Sequence, residues 1–160
     1  MKKVITTDEI SLIIKRLKSE KKKIVLVGGC FDILHEGHNE FLAAAKNQGD
    51  TLVVMLESDE SVKSRKGNDR PVNSQKVRAA ELSKSPYVDI VLVIPPLKTD
   101  LEYYEMTNMI EPDIIAVTKN DPAFLHKTNQ AKQVGGTVVE VIDRLPNLST
   151  TQIIRDNLEV

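Results

Sequence analysis

At 160 residues the chain is long enough for one domain with a real hydrophobic core and no covalent staples. Its 41% hydrophobic and 28% charged residues are ordinary for a globular protein, and a net charge of −1 gives no bulk electrostatic ground for a nucleic-acid or membrane partner. A single cysteine excludes an intrachain disulfide; with no signal-peptide core in "MKKVITTDEI" and no apolar run of membrane-spanning length, the expectation is a soluble cytoplasmic protein.

In chain order, the pattern first predicts a helix over Asp8 to Ser19, inside an N-terminal helical extension of residues 1–22. The first strand follows at Lys23 to Gly28, then a helix over Glu40 to Asn47 and a strand over Thr51 to Leu56. A helix from Ser74 to Ser83 leads to a strand from Tyr87 to Ile94. The last predicted pairs are helix Leu101 to Ile110 with strand Asp113 to Thr118, and helix Phe124 to Val134 with strand Thr137 to Ile142. A closing helix runs from about Thr150 to Leu158. The strands are nearly continuous in Val, Ile and Leu, as strands covered on both faces should be. "QGD", "KSP", "EP" and "VGG" punctuate each return from helix to strand. The repeated strand–helix–strand order predicts an α/β fold: a doubly wound, Rossmann-like, five-stranded parallel sheet with an extra N-terminal helix, in one domain over residues 1–160.

In such sheets ligands bind beyond the carboxyl ends of the strands. The stretch "GGCFDILHEGH", Gly28 to His38, leaves the first strand there. Gly28 and Gly29 permit a tight turn or close approach of a ligand, and Asp32 can hold the loop by accepting hydrogen bonds. His35 and His38 lie at a helix start, whose free N–H groups favour an anion, and Gly37 between them leaves room for a phosphate. Two imidazoles there can donate to phosphate oxygens and take up charge. The same residues are also compatible with a plain strand-to-helix turn bearing solvated histidines, or with a metal site using His35, His38, Cys30 and Asp32. One thiol is fewer than structural zinc usually draws. Cys30, between Gly29 and Phe31, reads as a small packed residue rather than a nucleophile.

"GGCFDILHEGH" resembles the signature of the H-x-G-H nucleotidyltransferase superfamily, the cytidylyltransferases and adenylyltransferases of small phosphorylated metabolites. The resemblance implies that His35 and His38 contact the phosphates of a nucleoside triphosphate and stabilise the transition state, with Gly29, Cys30, Phe31, Asp32 and Gly37 lining the nucleotide. "RLPNLSTTQII" resembles the family's second signature, which adds Arg144 to the catalytic set and Ser149, Thr150 and Thr151 to the nucleotide site. By itself that segment also reads as an ordinary N-cap. "ESDESVKSRKGNDRPVNSQKVR" resembles the corresponding stretch of the heptose 1-phosphate adenylyltransferases, as does the helix ahead of "IVLVGGCFD". Its part "KSRKGNDRP" reads as a polar, mobile lid, and the stretch as a whole offers Lys63, Lys66, Arg70 and Arg78 to the phosphate or acceptor; by composition alone it reads as a solvated face.

The expectation is therefore AMP (or CMP) transfer from ATP or CTP to the phosphate of a sugar phosphate or similar metabolite, with release of pyrophosphate. Mg²⁺ is expected with the triphosphate and not in a full protein site, and relatives imply a homodimer. Cytidylyl transfer to a glycerol 3-phosphate-like alcohol phosphate, adenylyl transfer to FMN, and a nucleotide-binding module without turnover are the alternatives; a metal-binding protein comes after them. Two places in the chain depart from the heptose branch. Thr118, Lys119 and Asn120 replace its glycine-rich turn and keep only Asp121 near the base, and Glu57 takes a place that is typically asparagine.

Overall fold

The structure is a computed structural model that describes residues 3–142. Among the described residues, six parallel strands form one sheet, in the order β1-β4-β3-β2-β5-β6. The strands are β1 (Val4–Ile5), β2 (Ile24–Gly29), β3 (Thr51–Leu56), β4 (Ile90–Val93), β5 (Ile114–Thr118) and β6 (Thr137–Ile142). The helices are α1 (Thr7–Ser19), α2 (Glu36–Lys46), α3 (Asp59–Lys66), α4 (Gln75–Ser83), α5 (Asp100–Ile110) and α6 (Phe124–Gln133). The parallel α/β architecture is as expected, but the strand number is corrected from five to six. Val4–Ile5, within the segment expected to be a helical extension, pairs with β4 through Val4↔Val91 and Ile5↔Leu92. Two residues are too few for a periodic signal to show.

Each strand divides its aliphatic residues between two cores, because successive side chains point to opposite faces. Ile24, Leu26, Val53, Met55, Ile90, Leu92, Ile115 and Val117 pack with Ile10, Ile14 and Leu17 of α1, Ile110 of α5 and Ala131 of α6. Val25, Val27, Leu52, Val54, Leu56, Val91 and Ala116 pack on the other face with Leu42 and Ala45 of α2 and Ala79 and Leu82 of α4. All six residues of β3 are buried, which is why the strand reads as an unbroken apolar run. On the α6–β6 connection a Cβ at Gly136 would stand 2.4 Å from the Pro112 carbonyl oxygen, so only glycine passes there.

From β2 the chain moves to β3 on one side, and β5 is added on the other. The carboxyl end of β2 is thus the switch in strand order, where an open α/β sheet forms its crevice. Most element limits fall within one residue of expectation, and the larger differences have local causes. α2 begins at Glu36, four residues ahead of Glu40, because the His35 ring caps it. β4 covers only Ile90–Val93, since the Asp89 carboxylate turns aside to accept from Leu52 N at 2.8 Å and Lys46 Nζ at 2.6 Å. α3 occupies part of the stretch expected as a mobile lid.

Candidate active site

The loop after β2 carries its polar groups inward. Phe31 adopts φ +46° and is buried, and a Cβ on Gly29 would stand 3.0 Å from its ring, so Gly29 makes way for Phe31. Asp32 is 3% exposed and accepts three hydrogen bonds: Val72 N at 2.7 Å, Asn73 N at 2.9 Å and Arg70 Nε at 3.1 Å. Asn73 Nδ2 returns a bond to the Asp32 carbonyl at 2.9 Å. Burial alone would raise the Asp32 pKa; the two backbone N–H groups and the Arg70 guanidinium outweigh it and hold the carboxyl below its ordinary 3.8. With both oxygens so engaged, Asp32 is a strut of the loop. Among the described residues no group of three or more His, Cys, Asp or Glu side chains could hold a metal.

His35 is the N-cap of α2, its Nδ1 accepting from His38 N at 3.4 Å. An accepting Nδ1 places the proton of the neutral ring on Nε2. The two imidazoles stack with centroids 3.9 Å apart and planes at 23°, and the Phe31 ring lies 5.3 Å from His38. His35 Nε2 and His38 Nδ1 are buried without a hydrogen-bond partner of normal geometry among the described residues. Leaving such groups unpaired costs about 1–3 kcal/mol each, a cost that an arriving oxygen ligand would remove.

Burial lowers the His35 pKa and pushes His38 down to about 4, with the charges of His35 and Lys66 acting in the same direction and the Ile33 backbone opposing them. Both rings are therefore neutral at pH 7. The unfolded chain binds more protons than the folded one between pH 6.5 and 4, so stability should be complete above pH 6.5 and fall as pH drops toward 4. The loss attributable to His38 has a ceiling of ~3 kcal/mol. Urea denaturation at pH 7.5, 5.5 and 4.5 measures it, and a His38→Gln variant should show a flatter dependence. Asp32 acts lower, its contribution being lost only as pH falls below 3.8.

The other expected site residues fall into three groups. Gly37 and His38 lie on the first turn of α2, and Cys30 is half-buried on the loop, its carbonyl accepting from Arg78 Nη1 at 2.8 Å. Asp121 follows β5; its carboxylate accepts from Ala123 N at 2.7 Å and Lys127 Nζ at 2.8 Å, a pairing that no local motif announces. Asn120 stands at φ +61°, a conformation that asparagine tolerates. Lys63 and Lys66 are exposed in the last turn of α3. Arg70 and Arg78, expected as cations available to the phosphate or acceptor, are both buried and engaged by other groups of the protein. Arg70 pairs with Asp32, and Arg78, 1% exposed, donates to Asn73 O, Cys30 O and Asp59 Oδ1 at 3.0, 2.8 and 2.6 Å. Arg144, Ser149, Thr150, Thr151 and the predicted closing helix lie outside the described residues.

Glu57 has a setting that the sequence does not reveal. Its backbone N–H donates to Gly29 O at 3.0 Å, and its buried carboxylate accepts from the Tyr103 hydroxyl at 2.9 Å. Arg65 Nη2 lies 3.5 Å from the same carboxylate oxygen and also donates to the Tyr103 hydroxyl. Burial, then the Glu57 charge and hydrogen bond, push the Tyr103 phenol up to about 12, with Arg65 opposing.

The cytidylyltransferase-like family model matches residues 26–156. The bifunctional protein HldE of Wolinella succinogenes is 38% identical over 157 residues, and that of Campylobacter jejuni subsp. doylei 43% identical over 140 residues. These alignments cover 96% and 86% of this chain but 31% and 28% of the relatives, so the chain spans about a third of their length. Among solved structures, a lipopolysaccharide core biosynthesis protein from Thermoplasma volcanium aligns with TM-score 0.60 at 28% identity, covering 77% of this chain and 97% of that one. A pantoate-beta-alanine ligase from Francisella tularensis aligns with TM-score 0.61 at 16% identity, covering 98% and 78%, and bears on the fold alone.

Proposed function

The chain belongs to the cytidylyltransferase-like family, and from that premise we propose that it transfers AMP from ATP to the phosphate of a heptose-like sugar phosphate, releasing pyrophosphate. The observation that carries the proposal is the stacked His35–His38 pair, two of whose ring nitrogens are buried and unpartnered at the switch in strand order. A triphosphate satisfies both nitrogens at once, and the α2 N-terminus adds its dipole. The sugar-phosphate acceptor is supported by the HldE relatives and by the "KGNDRPVN" segment.

In the proposed reaction an acceptor phosphate oxygen attacks the α-phosphorus in line. The new P–O bond forms as the bond from the α-phosphorus to the bridging oxygen breaks, and pyrophosphate leaves with the electron pair. A phosphate monoester has its second pKa near ~6 and is mostly ionised at neutral pH, so no strong general base is required. His35 donates from Nε2 as negative charge grows on the phosphate oxygens, and His38 can take up a proton when the anion is present. Lys63 and Lys66 supply positive charge from α3. Mg²⁺ enters as part of the nucleotide substrate, where it neutralises phosphate charge. Arg144 and Ser149 to Thr151 complete the proposed phosphate contacts, as the family resemblance implies. Homodimeric assembly and a cytoplasmic location belong to the same proposal.

Pyrophosphate release separates the candidate substrates. ATP with heptose 1-phosphate should give turnover, whereas CTP with glycerol 3-phosphate and ATP with FMN should give little. Nucleotide-dependent thermal stabilisation without pyrophosphate from any pairing would instead identify a binding module that lacks turnover.

A further inference from the structure

We propose that Glu57, Tyr103 and Arg65 form a tether that sets where the basic end of α3 stands relative to the paired histidines, making all three positioning residues for the transfer reaction. The tether rests on the reading of the site given above.

Helix α3 has little else to hold it. Its buried residues are Ser61 and Val62, both in its first half, and its last turn presents Lys63, Arg65 and Lys66 to solvent. The N-terminal half is fixed by the Ser58 cap, whose hydroxyl accepts from Ser61 N at 3.1 Å, and by Asp59, which accepts from Arg78 and from Gln75 N. The C-terminal turn carries no apolar side chain of its own to anchor it. Arg65 does so instead. Its guanidinium carbon lies 5.4 Å from the Tyr103 ring centroid, and Nη2 reaches both the Tyr103 hydroxyl and the Glu57 carboxylate.

Both anchor points belong to the rigid frame. Glu57 follows β3 directly and is bonded to β2 through Gly29. Tyr103 lies on α5, packs against the core, and its carbonyl accepts from Thr107 Oγ1 at 3.0 Å. Beyond the end of the helix, Arg70, Val72 and Asn73 are bound to Asp32. Lys66 to Asp69 therefore form a short exposed bridge between two fixed points, and the Lys66 charge is felt at His38.

This geometry accounts for a carboxylate at position 57. The Glu57 side chain is 8% exposed, and a buried carboxylate needs partners that offset its lost hydration. Here those partners lie on two other helices, so the carboxylate joins α3 to α5 and does not stand as a free anion against phosphorylated substrates.

The test is a cycle of Arg65→Met, Lys66→Ala and the double variant, read by kcat/KM for pyrophosphate release and by the Kd for Mg–ATP. Each single variant should lose about tenfold, and Lys66→Ala should cost less than about twofold once Arg65 is already Met. Arg65→Lys should not restore the loss, because an ammonium lacks the planar fork that meets ring and carboxylate together. Hydrogen exchange of the α3 amides gives a readout that needs no turnover: exchange should quicken about tenfold in Arg65→Met and in Tyr103→Phe, and stay unchanged in Lys66→Ala. Additive losses in the cycle, or unchanged exchange in Arg65→Met, would overturn the tether. If the unaltered protein releases no pyrophosphate with any substrate pair, the transferase reading fails, and the exchange result alone judges the tether.

Discussion

A His38→Ala variant is expected to lose ~10²–10³-fold in pyrophosphate release while keeping its fold. The ring stands under the site with an unpartnered nitrogen and packs on Phe31 and His35. Removing it deletes a group that answers charge developing on the phosphates. It also removes a buried nitrogen that costs stability when no ligand is bound, so the packing lost is partly offset. His35→Ala should lose turnover on the same scale and, in addition, about 0.5–1 kcal/mol of stability, because His35 caps α2 through a long bond of 3.4 Å. Circular dichroism separates loss of fold from loss of chemistry. Near-full turnover in both variants on the true substrate pair would remove the histidines from the mechanism.

The largest effect on stability should come from Asp32→Ala, at ~3–5 kcal/mol. The substitution takes the carboxylate partner from the Arg70 guanidinium, whose side chain is 4% exposed, and releases the N–H groups of Val72 and Asn73. Those residues carry the chain from α3 into α4, so the segment between the two helices loses its attachment to the loop after β2. Asp32→Asn should fall between, since an amide oxygen can still accept but brings no charge to Arg70. Urea denaturation reports both variants; an Asp32→Ala midpoint close to the parent's would mean that the loop is held by other contacts. Turnover should fall with stability here, in contrast to His38→Ala.

The fold was legible wherever burial on both faces made a strand continuously apolar. Thr51–Leu56 has the expected limits for that reason; Thr137–Ile142, an edge strand with no fully buried residue, was marked instead by its β-branched run after the Gly135–Gly136 turn. The failures are physical and local. Val4–Ile5 owes its strand to the β4 edge it pairs with and not to any pattern of its own. α3 was hidden by its charge: "SDESVKSRK" looks like a solvated run, yet Asp59 and Glu60 sit in the first turn and Lys63, Arg65 and Lys66 in the last, the arrangement that favours a helix dipole. Ser58 ahead of the acidic pair was the available signal.

In the site, the pairing of His35 with His38 was legible because the two act within one turn of chain. What could not be read were partners brought together from distant elements. Arg78 looked like a free cation until the Cys30 carbonyl, 48 positions away, claimed one of its nitrogens. Tyr103 is 46 positions from Glu57 and carries no motif at all. Asn73 lay in the quoted "RPVN" but had no assigned task until Asp32 was seen to bind it.

The central position of β2 also bears on how the chain acquires its function during folding. β2 pairs with β3, the next strand along the chain, and with β5, so distant that the Ile24 N–H donates to Asp113 across 89 positions. The loop-closure entropy of that second pairing must be met before its contacts reward it, which makes such pairings slow. The β2–β3–β4 half can assemble from neighbouring segments, whereas the crevice beside the histidines has only one wall until β5 docks. A complete crevice thus requires that long-range closure, and not only the loop that carries the histidines.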